Sequence, residues 1–275
     1  MDFSKYLIVT DLDGTFLAHG GMGVPQRNRE AIARFCAGGG RFTVATGRPH
    51  YTVGRAIPDV GELLSAPAIV CNGAYLYDYK TEKHSSEIFI PEDVAQDMLS
   101  FIREQVPDVT CRVSTPTKLR TAAIKGLLLH DVALFDPENV EVLPYDEWST
   151  DDWYKLAFRE EHEVLEALRP QLEERFGERL LIMKSGTRFL ELQCKEASKA
   201  VGIERLHEYY GNEPRRTVIA CGDFENDIDM LQAADVAVCP ANAIDAVKAL
   251  SRHVLCHCDE GLMGDIVALI EQGKL

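Results

Sequence analysis

Two aspartates separated by one residue give the strongest chemical signal in this chain of 275 residues. Asp11 and Asp13 lie in the run DLDGT, directly after the largely apolar run Tyr6–Thr10. Because alternate side chains of an extended chain face the same way, both carboxylates can address one ligand. Neighbouring carboxylates repel each other unless a cation or a shared proton compensates, so the pair suits Mg²⁺ together with a phosphate. One carboxylate can also attack phosphorus while the other transfers protons.

Structural interpretations of the same two residues stay open. The pair Asp13-Gly14 is also typical of a simple turn, and either aspartate is a suitable helix cap. A calcium-binding loop of the D-x-D-x-D-G type is excluded, because the third acid and the correctly placed glycine are missing.

The segment Thr46-Gly47-Arg48 follows a second predicted strand, Arg41–Ala45. A hydroxyl at a strand end, followed by glycine and by the free N–H groups of the next helix, makes a phosphate cradle. Arg48 adds a guanidinium that can donate two hydrogen bonds at once to phosphate or sugar oxygens. The structural alternative is that Thr46 only caps the helix.

A third polar segment, GDFEND at 222–227, follows the predicted strand Thr217–Cys221 and opens a helix. Asp223 and Asp227 are placed where they could complete a Mg²⁺ site at the same sheet edge. Alternatively, these acids only cap the helix and favour its dipole.

Lys199 begins another predicted helix, at the end where the helix dipole disfavours a cation. Its position is explained if the ammonium neutralises a phosphoryl group, and a solvated surface lysine is the alternative. Together these segments supply a nucleophile, a proton-transfer group, a hydroxyl, a cation and metal ligands. Phosphoryl transfer requires that set, because its catalysis consists mostly of positioning and charge stabilisation.

The elements that must position these groups follow an α/β pattern. Strands and helices alternate over residues 1–77 and again over residues 193–275, as is typical of a Rossmann-like, doubly wound parallel sheet. In such sheets ligands bind beyond the carboxyl ends of the strands, which is where the polar segments lie.

The middle of the chain has a different pattern. Two charge-rich amphipathic helices, Pro91–Gln105 and Glu161–Phe176, are bordered by strand-like pieces, of which the first is Glu87–Ile90. We therefore predict a core of residues 1–77 plus 193–275 and an inserted α+β domain of residues 78–192.

The net charge of the chain makes some classes of binding partner unfavourable. With 44 acidic and 29 basic residues the formal net charge is −15, which repels nucleic acid and anionic membranes. A phosphate substrate must therefore meet a local cation. The N-terminal apolar run is too short for a signal peptide, and no later run reaches the length of a membrane span, so we expect a cytoplasmic protein.

The eight cysteines are too sparse for a disulfide scaffold. The run Cys256-His257-Cys258 lacks the usual zinc spacing and an evident second ligand pair, which favours ordinary strand-end residues over a metal site.

The motifs together resemble those of the haloacid dehalogenase superfamily, and within it the Cof-type (HAD-IIB) phosphatases. Five motifs occur in family order: DLDGT at 11–15, ATGR at 45–48, NGA at 72–74, SK at 198–199 and GDxxND at 222–227. The chain departs from the family pattern in KEASKA at 195–200, where GVSKG is usual, and in VAVCPANA at 236–243, where AMGNA is common. Neither departure removes a catalytic group.

The resemblance implies a role for each matching residue. Asp11 is the nucleophile, Asp13 is the general acid and base, and Lys199 is a catalytic cation that binds phosphate. The implied Mg²⁺ ligands are Asp11, Asp13 through its backbone carbonyl, Asp223 and Asp227. The implied phosphate and substrate contacts are Thr46, Gly47, Arg48, Asn72, Gly73 and Asn226.

The long insertion lies between Thr46 and Lys199, the place of the family's C2 cap, which roofs the site and limits substrates to small molecules. The resemblance thus implies a Mg²⁺-dependent phosphatase of small phosphorylated metabolites, with sugar phosphates the expected class, acting as a monomer or small homo-oligomer. A phosphosugar mutase and a non-catalytic phospho-acceptor or sugar-phosphate sensor are the alternatives. Release of inorganic phosphate would distinguish a phosphatase from a mutase. Asp13 argues against a sensor, because a sensor needs no group that activates water.

Overall fold

We describe the chain from a computed structural model, which places residues 1–19, 23–132 and 136–275. The strands, in chain order, are β1 (Tyr6–Thr10), β2 (Arg41–Val44), β3 (Ala68–Val70), β4 (Tyr75–Asp78), β5 (Lys83–Ser85), β6 (Cys111–Ser114), β7 (Leu119–Thr121), β8 (Val140–Val142), β9 (Lys155–Arg159), β10 (Leu180–Gly186), β11 (Phe189–Cys194), β12 (Thr217–Cys221), β13 (Val236–Cys239) and β14 (His253–Val254). The helices are α1 (Gln26–Ala37), α2 (His50–Ala56), α3 (Val60–Leu63), α4 (Glu92–Gln105), α5 (Leu128–Val132), α6 (His162–Phe176), α7 (Lys199–Tyr209), α8 (Ile228–Ala233), α9 (Asp245–Leu250) and α10 (Met263–Glu271).

The chain divides into two compact units. The first consists of Met1–Ser86 and Ser198–Leu275, and the second of Glu87–Ala197. The first unit includes residues 78–86 because β5 continues the hairpin of β3 and β4 within one antiparallel sheet. Within the placed residues, no helix combines the length and apolar character needed to cross a bilayer.

The first unit is built on a parallel sheet in the order β14-β13-β12-β1-β2. A single parallel bridge between Ala45 and Ile69 extends this sheet toward β3. Leu7 and Val9 of β1 pack in one apolar cluster with side chains from α7, α8 and α9. Because β1 is buried along nearly its whole length, an uninterrupted apolar sequence is what it requires.

This strand order positions the polar segments. β1 lies between β12 and β2, so the chain leaves three neighbouring strands at the same edge through residues 11, 222 and 45. The α/β, doubly wound fold class is thereby confirmed, and β1, β12 and β13 have the bounds that the sequence predicts.

The second unit carries a sheet in the order β10-β11-β9-β6-β7-β8, with α4 and α6 packed on it. Its core combines side chains of both helices with alternate sheet residues such as Leu156 and Phe158. The strand predicted over Glu87–Ile90 is wrong, since these residues form no regular element. Their apolar side chains are used differently: Ile90 is buried, and Phe89 stacks on Tyr154.

Candidate active site

A buried lysine holds two aspartates at the centre of the site. Lys199 Nζ lies 2.5 Å from Asp11 Oδ1 and 2.5 Å from Asp227 Oδ1, and the lysine is completely buried. α7 begins at Lys199, and the hydroxyl of Ser198 caps it by accepting the Val201 N–H at 3.3 Å. The two carboxylates offset the unfavourable dipole at this helix end. The interpretation of Lys199 as a solvated surface residue is therefore wrong.

The site holds more negative than positive charge. Burial alone would lower the pKa of Lys199, but the carboxylates of Asp11 and Asp227 raise it, so the ammonium stays charged. Burial raises the pKa of Asp11, although the ammonium of Lys199 opposes this. Burial, with a contribution from Asp227, also raises the pKa of Asp223 to about 7. One lysine among three carboxylates leaves the site short of positive charge.

Three carboxylates gather where a cation could relieve this deficit. Oxygens of Asp11, Asp223 and Asp227 all lie within 4.8 Å of one another. Thr15 orients Asp223 by donating its hydroxyl to Oδ1 at 2.6 Å. A hard cation such as Mg²⁺ prefers carboxylate oxygens, so the donor set fits this metal. Thr15 is absent from the predicted site residues, although its position in the DLDGT run could have indicated it.

Asp227 also has a structural function. Its Oδ2 accepts the backbone N–H groups of Asp223, at 2.9 Å, and Phe224, at 3.1 Å. These bonds fix the 3₁₀ turn Glu225–Asp227 that precedes α8. Asp227 therefore stabilises this turn, and these bonds hold its Oδ1 toward Lys199.

The turn after β1 brings Gly14 against Asp223. Gly14 has a φ of +82°, and a Cβ at this position would lie 2.7 Å from Asp223 Oδ2. Only glycine allows both this backbone conformation and this approach. The side chain of Asn242 holds the turn by donating to the Gly14 carbonyl oxygen at 2.7 Å. Asn242 was not predicted, because it belongs to the segment 236–243 where the chain departs from the family pattern.

Asp13 lies apart from the three clustered carboxylates. Its side chain forms a paired contact with Arg48, with Nε 2.7 Å from Oδ2 and Nη2 2.5 Å from Oδ1. About half of the Asp13 side chain is exposed. Arg48 therefore orients the predicted acid/base residue, a contact that the sequence did not indicate.

Thr46 and Gly47 lie in the connection from β2 to α2. The buried Thr46 hydroxyl accepts the Arg48 N–H at 3.1 Å, and the Thr46 carbonyl accepts the Asn72 N–H at 2.8 Å. Because α2 begins only at His50, the hydroxyl stabilises the turn before the helix, and the N–H groups of α2 do not directly follow Gly47.

The NGA motif joins the same region. Asn226 Nδ2 donates to Asn72 Oδ1 at 3.2 Å, and both side chains are buried. Gly73 has a φ of +88°, and a Cβ there would overlap the carbonyl oxygen of Ser198. This packing holds the start of α7, so Gly73 positions Lys199 through the backbone.

We expect Gly73→Ala to lower the free energy of unfolding by at least about 2 kcal/mol, because it adds both backbone strain and a clash. Gly54→Ala is the matched control, since Gly54 lies inside α2 with open space around its Cα. That control should raise the stability by about 0.5–1 kcal/mol. Urea unfolding measures both, and equal stabilities of Gly73→Ala and wild type would contradict the packing account.

The chain is similar in sequence to proteins of known family. A family model described as haloacid dehalogenase-like hydrolase matches residues 8–263. A 5-amino-6-(5-phospho-D-ribitylamino)uracil phosphatase of Bacillus subtilis is 26% identical over 272 residues, covering 94% of this chain and 95% of the relative. A pyridoxal phosphate phosphatase of Escherichia coli is 26% identical, covering 90% and 92% respectively.

The chain is also similar in fold to a solved structure. A haloacid dehalogenase-like hydrolase from B. subtilis superposes with a TM-score of 0.83 at 25% identity, covering 95% of this chain and 98% of that one. Such a likeness over nearly the full length of both chains extends to both of the units described above.

Proposed function

Because this chain belongs to the haloacid dehalogenase-like hydrolase family and is an enzyme of the phosphatase type, we propose that it transfers the phosphoryl group of a small phosphorylated metabolite to Asp11 and then to water. The observation that carries this proposal is the buried contact of the Asp11 carboxylate with Lys199, in a cluster with Asp223 and Asp227. Such an arrangement holds a nucleophile still and keeps positive charge beside it.

In the first step an Asp11 carboxylate oxygen attacks phosphorus, and the bond from phosphorus to the ester oxygen breaks. Asp13, which takes up a proton before this step, delivers it to the leaving alkoxide, so the products are the free alcohol and an aspartyl phosphate. Arg48 holds the Asp13 carboxylate in the resting enzyme through two hydrogen bonds. It must release or share that carboxylate when Asp13 transfers a proton, and the half-exposed position of Asp13 allows this.

In the second step Asp13, now ionised, takes a proton from water, and the resulting hydroxide attacks phosphorus. The bond from phosphorus to Asp11 breaks, which regenerates the carboxylate and releases inorganic phosphate. Lys199 is charged in the free enzyme because Asp11 and Asp227 raise its pKa. Its ammonium neutralises negative charge on the transferring group and restrains the free Asp11 carboxylate between turnovers.

We propose Mg²⁺ as the cofactor, held by the carboxylates of Asp11, Asp223 and Asp227 with the Asp13 backbone carbonyl. When bound, it supplies the positive charge that the site lacks and polarises the phosphoryl oxygens. The chain's own contribution is to fix the carboxylates beforehand, with Thr15 on Asp223 and the backbone of 223–224 on Asp227.

We expect EDTA to abolish turnover and Mg²⁺ to restore it. Because the pKa of Asp223 is raised to about 7, its carboxyl carries a proton below that pH, and the cation must displace the proton. The affinity for Mg²⁺, measured by calorimetry, should therefore be about tenfold weaker at pH 6 than at pH 8. In Asp223→Asn, binding should be weak at both values. Turnover in the presence of EDTA, or a Mg²⁺ affinity that is the same at both pH values, would contradict the assignment of these carboxylates as Mg²⁺ ligands.

The substrate class is proposed as sugar phosphates and similar small phosphomonoesters. The two relatives named above support small phosphorylated metabolites, and the acidic chain, with a net charge of −15, disfavours phosphate polymers. A panel of sugar phosphates, pyridoxal phosphate and p-nitrophenyl phosphate, assayed for phosphate release with Mg²⁺, tests this. Isomerised sugar phosphate without phosphate release would instead identify a mutase.

The assignment of catalysis to residues 1–77 plus 193–275, and of substrate selection to residues 78–192, remains a prediction. Exchange of residues 87–197 with the equivalent unit of a relative is its direct test, because substrate preference should then follow the exchanged unit.

A further inference from the structure

A cluster of soft metal-binding groups lies outside the predicted catalytic residues. The Sγ atom of Cys258 is 3.9 Å from Nδ1 of His19 and 3.6 Å from Nδ1 of His257. Among the described residues, these three side chains are one of two groups whose donor atoms all lie within 4.8 Å of one another, the other being the three aspartates.

These distances match a tetrahedral zinc centre. Zinc bonds of about 2.3 Å to sulfur and about 2.0 Å to nitrogen place tetrahedral ligands about 3.6 Å apart. The two sulfur–nitrogen distances in the cluster, 3.6 and 3.9 Å, are equal to this value and slightly above it. A cation can therefore enter with small side-chain shifts.

A carboxylate lies next to two of the three donors. Oδ2 of Asp259 lies 3.1 Å from His257 Nδ1, and Oδ1 lies 3.9 Å from Cys258 Sγ. Oδ1 also accepts the backbone N–H of His19 at 2.6 Å, which holds the two chain segments together. Asp259 is not one of the three mutually close donors, but its carboxylate places a negative charge beside the thiol.

Access and burial also suit a bound cation. Cys258 is completely buried, His257 is partly exposed and His19 is exposed, so a cation can arrive from solvent and be held at the thiol. Cys256 faces elsewhere, since its sulfur contacts the Arg27 guanidinium at 3.4 Å. Of the run Cys256-His257-Cys258, only His257 and Cys258 belong to the cluster. Its third member is His19, which lies 239 positions before Cys258 in the sequence.

We propose that His19, His257 and Cys258, with the carboxylate of Asp259 beside them, form a second metal site, which takes a borderline-soft divalent cation of the zinc type. Thiolate and imidazole donors select such ions, whereas Mg²⁺ requires oxygen donors. Binding replaces the proton of the Cys258 thiol by the cation and releases that proton to solvent. The cation also replaces the long contact, 3.3 Å, in which His257 Nδ1 accepts the Asp259 N–H.

The site is connected to the catalytic turn. The Cys258 N–H donates to Asn242 Oδ1 at 3.1 Å, and Asn242 Nδ2 donates to the Gly14 carbonyl at 2.7 Å. A cation on Cys258 and His19 therefore ties together two segments that flank this turn. We expect it to stabilise the folded protein, since it binds only when both segments are in place.

Cobalt substitution tests the site in the full chain with Mg²⁺ present. Co²⁺ should bind the wild type with one thiolate-to-cobalt charge-transfer band in the near ultraviolet, and Zn²⁺ should displace it. Cys256→Ser, the matched control, should keep the band. Cys258→Ser should lose the band, and His19→Ala should bind at least about tenfold more weakly. His19 is exposed, so this second variant reports on ligation even if Cys258→Ser folds poorly.

Thermal unfolding gives an independent measure. Zn²⁺ should raise the Tm of wild type and of Cys256→Ser, and at the same Zn²⁺ concentration should raise that of His19→Ala by less. The proposal is overturned if wild type shows no thiolate band. It is equally overturned if the band survives in Cys258→Ser, if Cys256→Ser and Cys258→Ser lose it alike, or if excess Mg²⁺ displaces the cobalt.

Discussion

Asp11→Asn is expected to lower kcat by at least about 10³-fold, because an amide is too poor a nucleophile to attack phosphorus. The substitution nearly preserves the size of the side chain. Lys199 keeps Asp227 as its partner, so the fold should remain intact. Steady-state hydrolysis of p-nitrophenyl phosphate with Mg²⁺ measures the effect, and circular dichroism with urea unfolding verifies the fold.

The matched control is Asp108→Asn, an exposed aspartate of the second unit. It removes the same charge from the chain and should leave kcat within about twofold of wild type, as is usual for exposed positions away from a site. If Asp11→Asn retains a tenth or more of wild-type kcat, Asp11 is not the nucleophile. In that case its contact with Lys199 is structural.

Lys199→Met is expected to lower both activity and stability. Removing the ammonium leaves Asp11 and Asp227 buried without their common partner, which should cost about 3–5 kcal/mol in the free energy of unfolding. Loss of the positive charge beside the phosphoryl group should lower kcat by about 10²–10³-fold. Urea unfolding and turnover are measured on the same preparation.

A double variant tests whether the loss of turnover follows from the loss of stability. In Lys199→Met with Asp227→Asn, one buried charge is removed together with the lysine, so the stability should rise by at least about 1 kcal/mol over the single variant. Turnover should stay low, because both the ammonium and one of the proposed Mg²⁺ ligands are missing. Recovery of turnover along with stability would mean that Lys199 acts only through folding.

The core elements were predictable because burial on both faces of a parallel sheet requires continuous apolar sequence. β1, β12 and β13 have this character, and their bounds follow from it. For Lys199 the sequence indicated only that a cation at a helix start needs a compensating negative charge, and the structure shows that two carboxylates supply one. Local physical chemistry was sufficient for the three strands.

The second unit was harder to predict because its short elements depend on contacts distant in sequence. Glu87–Ile90 has the composition of a strand, but Ile90 is instead held by a single backbone bond to Trp153 at 2.7 Å. β6, β7 and β8 have only three or four residues each, too few for their alternation to be distinguished from a loop.

The hydrogen-bond partners within the site were equally hard to predict from the sequence. Nothing in the sequence around residue 13 or 48 indicates that Arg48 holds Asp13, because 35 positions separate them. The contact of Asn242 with Gly14 joins residues 228 positions apart. Motif spacing identifies which residues gather at a sheet edge, whereas partner choice depends on side-chain directions that only the structure provides.

The central claim is that Asp11 carries the phosphoryl group, and chemical trapping tests it most directly. Asp13→Asn should accumulate the intermediate from p-nitrophenyl phosphate, because this leaving group needs no proton while hydrolysis needs the base. Borohydride reduces an aspartyl phosphate to homoserine, which peptide mass spectrometry locates. We expect homoserine at position 11, only with both Mg²⁺ and substrate. Homoserine at another aspartate such as Asp223, or no homoserine in Asp13→Asn although the wild type turns over, would contradict the account.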